Sequence, residues 1–300
     1  MRLTHIRDLA VEAPLSSGHA ILAAASGMVV RGNRLCVVAD DAHCLALFAL
    51  DDPAPGKLIG LIEGDLPRDA ARRKRVKPDF EILMALPCTA GDRLLALGSG
   101  STAQRMRGAI IDLPPRGEAP GVRPIDLQPL FAALAPLVPE INLEGAVLCD
   151  DRLLLFNRGN MQFPASHILE VALADLLRAA VLDGGPVTAS VRAELALPML
   201  SGVPLTVTDA CRLENGHILL SAVAEATADS YADGALMGAA IVELDGQFNV
   251  LAVEPLDPPI KVEGIAARAT EDGLHLLCVT DADDPERASG LYAGLYIGPG

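Results

Sequence analysis

Five times along this chain a short apolar run, a polar turn and a second apolar run ending in polar residues follow one another. The copies are SGMVVRGNRLCVVADD from Ser26, FEILMALPCTAGDRLLALGSGS from Phe80, LEGAVLCDDRLLLFNRGN from Leu143, TDACRLENGHILLSAVAE from Thr208 and VEGIAARATEDGLHLLCVTDADD from Val262. Turns rich in Gly, Asn and Asp supply the left-handed backbone of tight hairpins, so each copy reads as a β-hairpin. Taking Gly27, Ile82, Gly145, Ala210 and Gly264 as equivalent, the intervals are about 55, 63, 65 and 54 residues. That spacing suits propeller blades with long loops. Two further strand-like runs follow each of the first four hairpins. The fifth is followed only by LYAGLYI, and LTHIRDLAVE at the N-terminus supplies its missing outer strand, removing two open sheet edges. The expected fold is all-β: a single five-bladed β-propeller domain over residues 1–300, with four antiparallel strands per blade. A six-bladed ring would need about 40 residues more than the repeats leave. PLFAALAPL and LADLLRAAV read as short helices in the connections.

Composition narrows the partners. Of the 300 residues 51% are hydrophobic and 21% charged, which excludes a disordered chain, and no apolar run approaches the ~20 residues of a membrane helix. A net charge of -15 argues against nucleic acid and anionic membranes as partners, because both are gripped through clustered Lys and Arg. The opening MRLTHIRDLAVEA has no apolar core followed by a cleavage site, so a cytoplasmic location is expected. The six cysteines include no CxxC pair and read as buried thiols, and the six histidines form no zinc motif. With aromatics at 3% and no Trp, stacking platforms for sugars or single-stranded bases are scarce, which ranks a glycosidase behind other readings.

The first strand of each propeller blade lines the central channel. Just before the reference position of each repeat stand Ser26, Glu81, Glu144, Asp209 and Glu263. Carboxylates converging at one level repel unless a cation sits among them, and calcium, which takes six to eight oxygens at about 2.3–2.6 Å, suits such a ring. Lys77, Lys261 and water are the alternative counter-charge. Because the ring residues stand early on their strands, the loops entering the first strand and leaving the second share one mouth with them. That mouth gathers Asp40 and Asp41, Ser99, Ser101 and Arg105, Asn157 and Arg158, Asp281, and the entering loop RRKRVKPD with Lys77 and Asp79. Basic groups and hydroxyls above a metal are what a small phosphorylated anion requires. RRKR equally reads as a solvated loop.

The ordered ring residues, with ASGMVVRGNRLCVVADD at one end and PPIKVEGIAA at the other, resemble calcium-activated nucleotidases of the apyrase family. Such proteins are five-bladed propellers with axial calcium held by an inner-strand Ser, Glu, Glu, Ser, Glu series. Ser26, Glu81, Glu144 and Glu263 match that series, and Asp209 stands where the second Ser would be. The family's Asp-Asp-Arg after the first hairpin is here Asp40-Asp41-Ala42. The Glu-Gly pieces are also similar to bacterial phytase-like and esterase-like propellers. The resemblance implies calcium and metal-assisted phosphoester or phosphoanhydride hydrolysis, with Asp40 or Asp41 as general base and Arg105 or Arg158 stabilising developing charge. A non-catalytic propeller that binds a ligand or a protein is the alternative expectation.

Overall fold

A computed structural model of the chain describes residues 1–115, 118–227 and 234–298. Five antiparallel sheets succeed one another along the sequence as blades. Blade 1 comprises Ala25–Arg31, Arg34–Ala39, Cys44–Ala49 and Lys57–Gly60, and blade 2 comprises Phe80–Leu86, Asp92–Gly98, Arg107–Leu113 and Gly121–Asp126. Blade 3 is built from Leu143–Cys149, Arg152–Asn157, Ser166–Ala172 and Ala189–Leu195. Blade 4 contains Val203–Arg212, Ile218–Ala226, Ala235–Leu244 and Val250–Pro255, and adds a two-residue strand, Met199–Leu200, beside the first of these. Blade 5 holds Val262–Thr270, Gly273–Thr280 and Gly290–Tyr296, and its outer strand is the N-terminal Thr4–Asp8. Thr4 pairs with Ala293 and Asp8 with Gly290, so the chain start closes the last blade as the repeat arithmetic requires. The innermost strands of the blades touch in a closed cycle around the axis.

Apolar residues on both faces of each blade feed five separate clusters, one at every blade-to-blade seam. Phe80, Leu83 and Leu94 of blade 2 meet Cys36, Val38 and Leu45 of blade 1, for example, and Val147 and Phe156 of blade 3 meet Val207 and Leu220 of blade 4. Burial of these side chains from water is the main favourable term holding neighbouring blades together.

Among the described residues three short α-helices lie in connections. Helix α1, Ala70–Val76, takes up the RRKR run that the sequence suggests as a loop, and the Asp69 side chain caps it by accepting from the Arg72 N–H at 2.8 Å. Helix α2, Gln128–Leu134, and helix α3, Leu173–Arg178, fall where the sequence places them, and bury Leu130, Phe131 and Leu176 against the seam between blades 2 and 3. All six cysteines are free thiols; Cys36, Cys44 and Cys278 are buried, whereas Cys88 is exposed. No helix among the described residues is long and apolar enough to cross a membrane.

Candidate functional site

Each innermost strand breaks register with its neighbour at one place. Leu143 faces Asn157 and Gly145 faces Phe156, leaving Glu144 as the extra residue of a β-bulge. In the same way Glu81 is extra between Phe80 and Ile82, and Glu263 between Val262 and Gly264; in blade 1 Ser26 and Gly27 span the break. A bulge bends the strand and turns its extra side chain away from the ladder, here toward the axis. Ser26, Glu81, Glu144 and Glu263 accordingly line one axial cavity.

Blade 4 differs from the sequence expectation by one residue. Its break lies between Val207 and Asp209, so the residue equivalent to the three glutamates is Thr208. The packing of the seams gives the same alignment. A Cβ on Gly27 would lie 2.4 Å from the Leu83 nitrogen and 2.8 Å from the Ile82 carbonyl carbon; one on Gly145 would lie 2.9 Å from the Ala210 nitrogen and 3.1 Å from the Asp209 carbonyl carbon. Asp209 therefore corresponds to Ile82. Its carboxylate accepts from the Ile265 N–H of blade 5 at 2.8 Å and does not line the cavity. Thr208 is also turned into the seam, donating to the Val262 carbonyl at 2.6 Å and hydrogen-bonded to Ser221 Oγ at 3.0 Å.

The loops above the bulges complete the cavity, and the loop ends expected at the mouth meet there. Among the described residues seven carboxylates line it (Asp40, Asp79, Glu81, Glu144, Glu225, Glu263, Asp281) against five cationic side chains (Lys74, Lys77, Arg105, Arg158, Lys261). The formal excess is two negative charges. Lys77 Nζ pairs with Asp40 and, at 2.8 Å, with Asp79 Oδ1. Asp79 is aimed by a left-handed backbone (φ 55°) directly before the inner strand of blade 2. Its other oxygen accepts from Arg105 at 2.8 Å and from Ser99 Oγ. On the opposite side Arg158 bonds Glu144 at 3.4 Å and Glu225 at 2.5 Å, while Asn142 donates to Glu144 at 2.6 Å. Lys261 lies 3.5 Å from Glu263, 3.4 Å from Asp281 and 2.8 Å from Asp283.

Three expected binding residues stand behind this wall. Ser99 and Ser101 hydrogen-bond each other at 2.9 Å and support Asp79 and Arg105, whereas Asn157 holds the loop before blade 3 through the Glu140 carbonyl and the Asn142 N–H. Asp41 lines an adjoining cavity with Arg73, 3.4 Å away, and shares Asp40, Lys74, Lys77 and Asp281 with the axial one. Thr206, which accepts from Arg158 Nε at 3.3 Å, and Asn142 have no signal in the repeat pattern, because neither stands at a ring position nor carries charge.

Burial dominates the electrostatics. The Glu144 carboxyl is pushed up to about 8 by burial and by Glu263 and Asp79, against the pull of Arg158 and Lys261. Glu81 is raised well above the carboxylate range by burial and by the charges of Glu144, Asp79 and Asp40, and Glu263 is raised mainly by burial. Burial and Asp40 lift Asp41 to about 6. Burial opposes the Lys77 charge, but Asp40, Asp79 and Glu81 outweigh it and keep the group an ammonium.

The donor set fits a hard cation. Asp40, Asp79 and Glu81 each offer a carboxylate oxygen, all within 4.8 Å of one another. Oxygens no more than 4.8 Å apart can share one ion bound at about 2.4 Å. In addition, Oε2 of Glu263 is buried without a hydrogen-bond partner on the wall of the same cavity. The acidic cluster thus joins the end of the blade 1 hairpin (Asp40) to the entry of blade 2 (Asp79 and Glu81) and takes in one residue of the expected five-residue ring.

A model described as "Family of unknown function (DUF6929)" matches residues 21–294, which reach all five blades but not the closing strand Thr4–Asp8. The chain belongs to this family. No curated protein matches its sequence. Solved structures with a similar chain trace include a luciferin-regenerating enzyme at 11% identity, covering 93% of both chains with a TM-score of 0.45. An alpha-L-arabinanase mutant from Cellvibrio cellulosa is 13% identical, covering 96% of this chain and 92% of its own, with a TM-score of 0.46. A thermostable family-43 glycoside hydrolase is 10% identical over 91% and 90% of the two chains, with a TM-score of 0.41. At this distance the similarities say nothing about substrate, and the apyrase-like and phytase-like resemblance finds no close relative among them.

Proposed function

We propose that this DUF6929 member is a cation-centred propeller that binds a small anionic, phosphorylated ligand at its axial mouth, with Asp40, Asp79 and Glu81 as carboxylate ligands and calcium as the ion. The observation that supports the reading is the crowded cavity: seven carboxyl groups against five cations, so that without an ion Glu81 and Glu144 hold their protons, three carboxyls with oxygens within 4.8 Å, and a buried Glu263 oxygen without a partner. Calcium is preferred because carboxylates and amides line the cavity and its flexible coordination takes six to eight such oxygens, where magnesium demands a tight octahedron.

In the hydrolytic form of this reading, calcium when bound supplies polarisation of a phosphoryl oxygen. The chain's own residues divide the remaining work. Arg105 and Arg158 are committed to Asp79, Glu144 and Glu225, and so act as positioning residues that hold the carboxylates in place. Asp41, raised to about 6 and lining the adjoining cavity beside Asp40, is the carboxylate suited to accept a proton from water near neutral pH. Pure ligand binding uses the same cation and mouth but no base.

Melting curves of the full chain, with calcium or with a chelator, at pH 5 and pH 8, test the cation. A carboxyl near 8 in the folded protein, against an ordinary value near 4.5, holds its proton more tightly when folded. Its stabilising contribution is present below about 4.5 and lost as pH rises through about 8, so the chelated protein should melt lower at pH 8. Calcium should reverse that loss, giving a larger melting shift at pH 8 than at pH 5. Identical curves with calcium and chelator at both pH values would refute the cation reading. A panel of phosphorylated metabolites with calcium present then separates the two forms: turnover lost in Asp41→Asn supports hydrolysis, and melting shifts without turnover support binding alone.

A further inference from the structure

We propose that Lys77 is a built-in occupant of the cation seat, so that its ammonium and a divalent ion compete for Asp40, Asp79 and Glu81. The inference rests on the cation reading above and identifies the group that leaves when the ion enters.

The ammonium sits among the same oxygens the ion would use. Lys77 Nζ donates to Asp40 and lies 2.8 Å from Asp79 Oδ1, two of the three carboxylates whose oxygens come within 4.8 Å of one another. An ion at about 2.4 Å from these oxygens and an ammonium at 2.8 Å overlap in space and repel in charge. One excludes the other. The single charge of Lys77 also leaves the cavity unbalanced, as the partnerless Oε2 of Glu263 shows on the blade 5 wall.

The chain lets this exchange proceed by side-chain motion alone. The Lys77 N–H donates to the Arg73 carbonyl at 2.8 Å and closes the end of α1, and Pro78 follows, so the main chain stays fixed while the four-carbon stem turns. Lys77 lies on the wall of both the axial cavity and the adjoining one, so the displaced ammonium has the adjoining cavity to turn into. Cation entry therefore replaces the Lys77 ammonium among the carboxylates with a divalent ion and turns a lysine toward the mouth. The binding order is cation first and anion second.

The test uses calcium chloride alone as the probe and the metal-stripped full chain. Calorimetric titration of the wild type and Lys77→Met should show calcium binding at least tenfold tighter in the variant, because no ammonium has to be displaced. In the wild type, acetylation by an amine-reactive ester, followed by peptide mass spectrometry, should modify Lys77 severalfold faster with calcium than without, while the exposed Lys57 reacts at one rate throughout. Calcium binding to the wild type with no gain in Lys77→Met and no change in Lys77 labelling overturns the competition and leaves the cation reading standing. No binding heat in either protein and no labelling change overturns both. Should Lys77→Met fail to fold, the labelling of the wild type decides.

Discussion

Blades 2 and 4 use one backbone device for opposite ends. In both, the innermost strand is bulged near its start, at Glu81 in blade 2 and at Thr208 in blade 4. Blade 2 turns its extra carboxylate into a cavity beside Asp79 and Asp40, where several negative groups share too few partners. Blade 4 turns its hydroxyl to the Val262 carbonyl and aims the next carboxylate, Asp209, at the Ile265 N–H, so its polar groups are spent joining blades 4 and 5. A buried polar group whose partners lie within the fold strengthens a seam, whereas one whose partners are incomplete marks a place for something from outside.

The comparison can be broken most forcefully at the glycines that let these bulges meet their neighbours. An added methyl on Gly27 would meet blade 2 backbone at 2.4 Å, and one on Gly145 would meet blade 4 backbone at 2.9 Å. Both contacts are with main chain, which cannot rotate aside, so overpacking is expected to cost about 3 kcal/mol or more for Gly27→Ala and about 1–2 kcal/mol for Gly145→Ala. Urea denaturation of the two variants would measure this, and equal losses would remove the asymmetry between the seams.

A smaller effect distinguishes seam from site. Replacing Asp209 by Ala leaves the Ile265 N–H buried without its partner, a loss of about 2 kcal/mol, while any calcium-induced rise in melting temperature should persist. Glu81→Gln should behave in the opposite way, keeping or raising the stability of the chelated protein because an amide is buried there without having to take up a proton, and abolishing the calcium response. Parallel melting curves of the two variants read both outcomes. The difference between the blades would be lost if Asp209→Ala also erased the calcium response.

The smallest expected effect concerns Thr208 alone. Thr208→Val keeps the shape and removes the hydroxyl bonded to the Val262 carbonyl and Ser221, at a cost of about 1 kcal/mol by urea denaturation, with calcium binding unchanged. A large drop in calcium affinity in this variant would return blade 4 to the ring and contradict its assignment to the seam.

What the amino-acid sequence determined by itself is the part of the molecule written in local, repeated chemistry. Strand pairs around Gly, Asn and Asp turns recur five times, the fifth lacks an outer strand, and the N-terminal LTHIRDLAVE supplies it, so blade number and closure follow from counting. Chain direction likewise brings Asp40, Lys77, Arg158 and Asp281 to one mouth with the glutamates. Tertiary structure alone decided where each side chain points. A bulge inserts one residue without any mark in the apolar pattern, so Thr208 and Asp209 exchange places against their counterparts in the other blades. Whether a carboxylate faces the axis or a neighbouring N–H depends on the approach of a strand some 50–60 residues away, as Asp209 and Ile265 show. The same holds for the cation seat, because Asp40, Asp79 and Glu81 converge only once the end of the blade 1 hairpin, the loop between α1 and blade 2 and the blade 2 bulge are packed together.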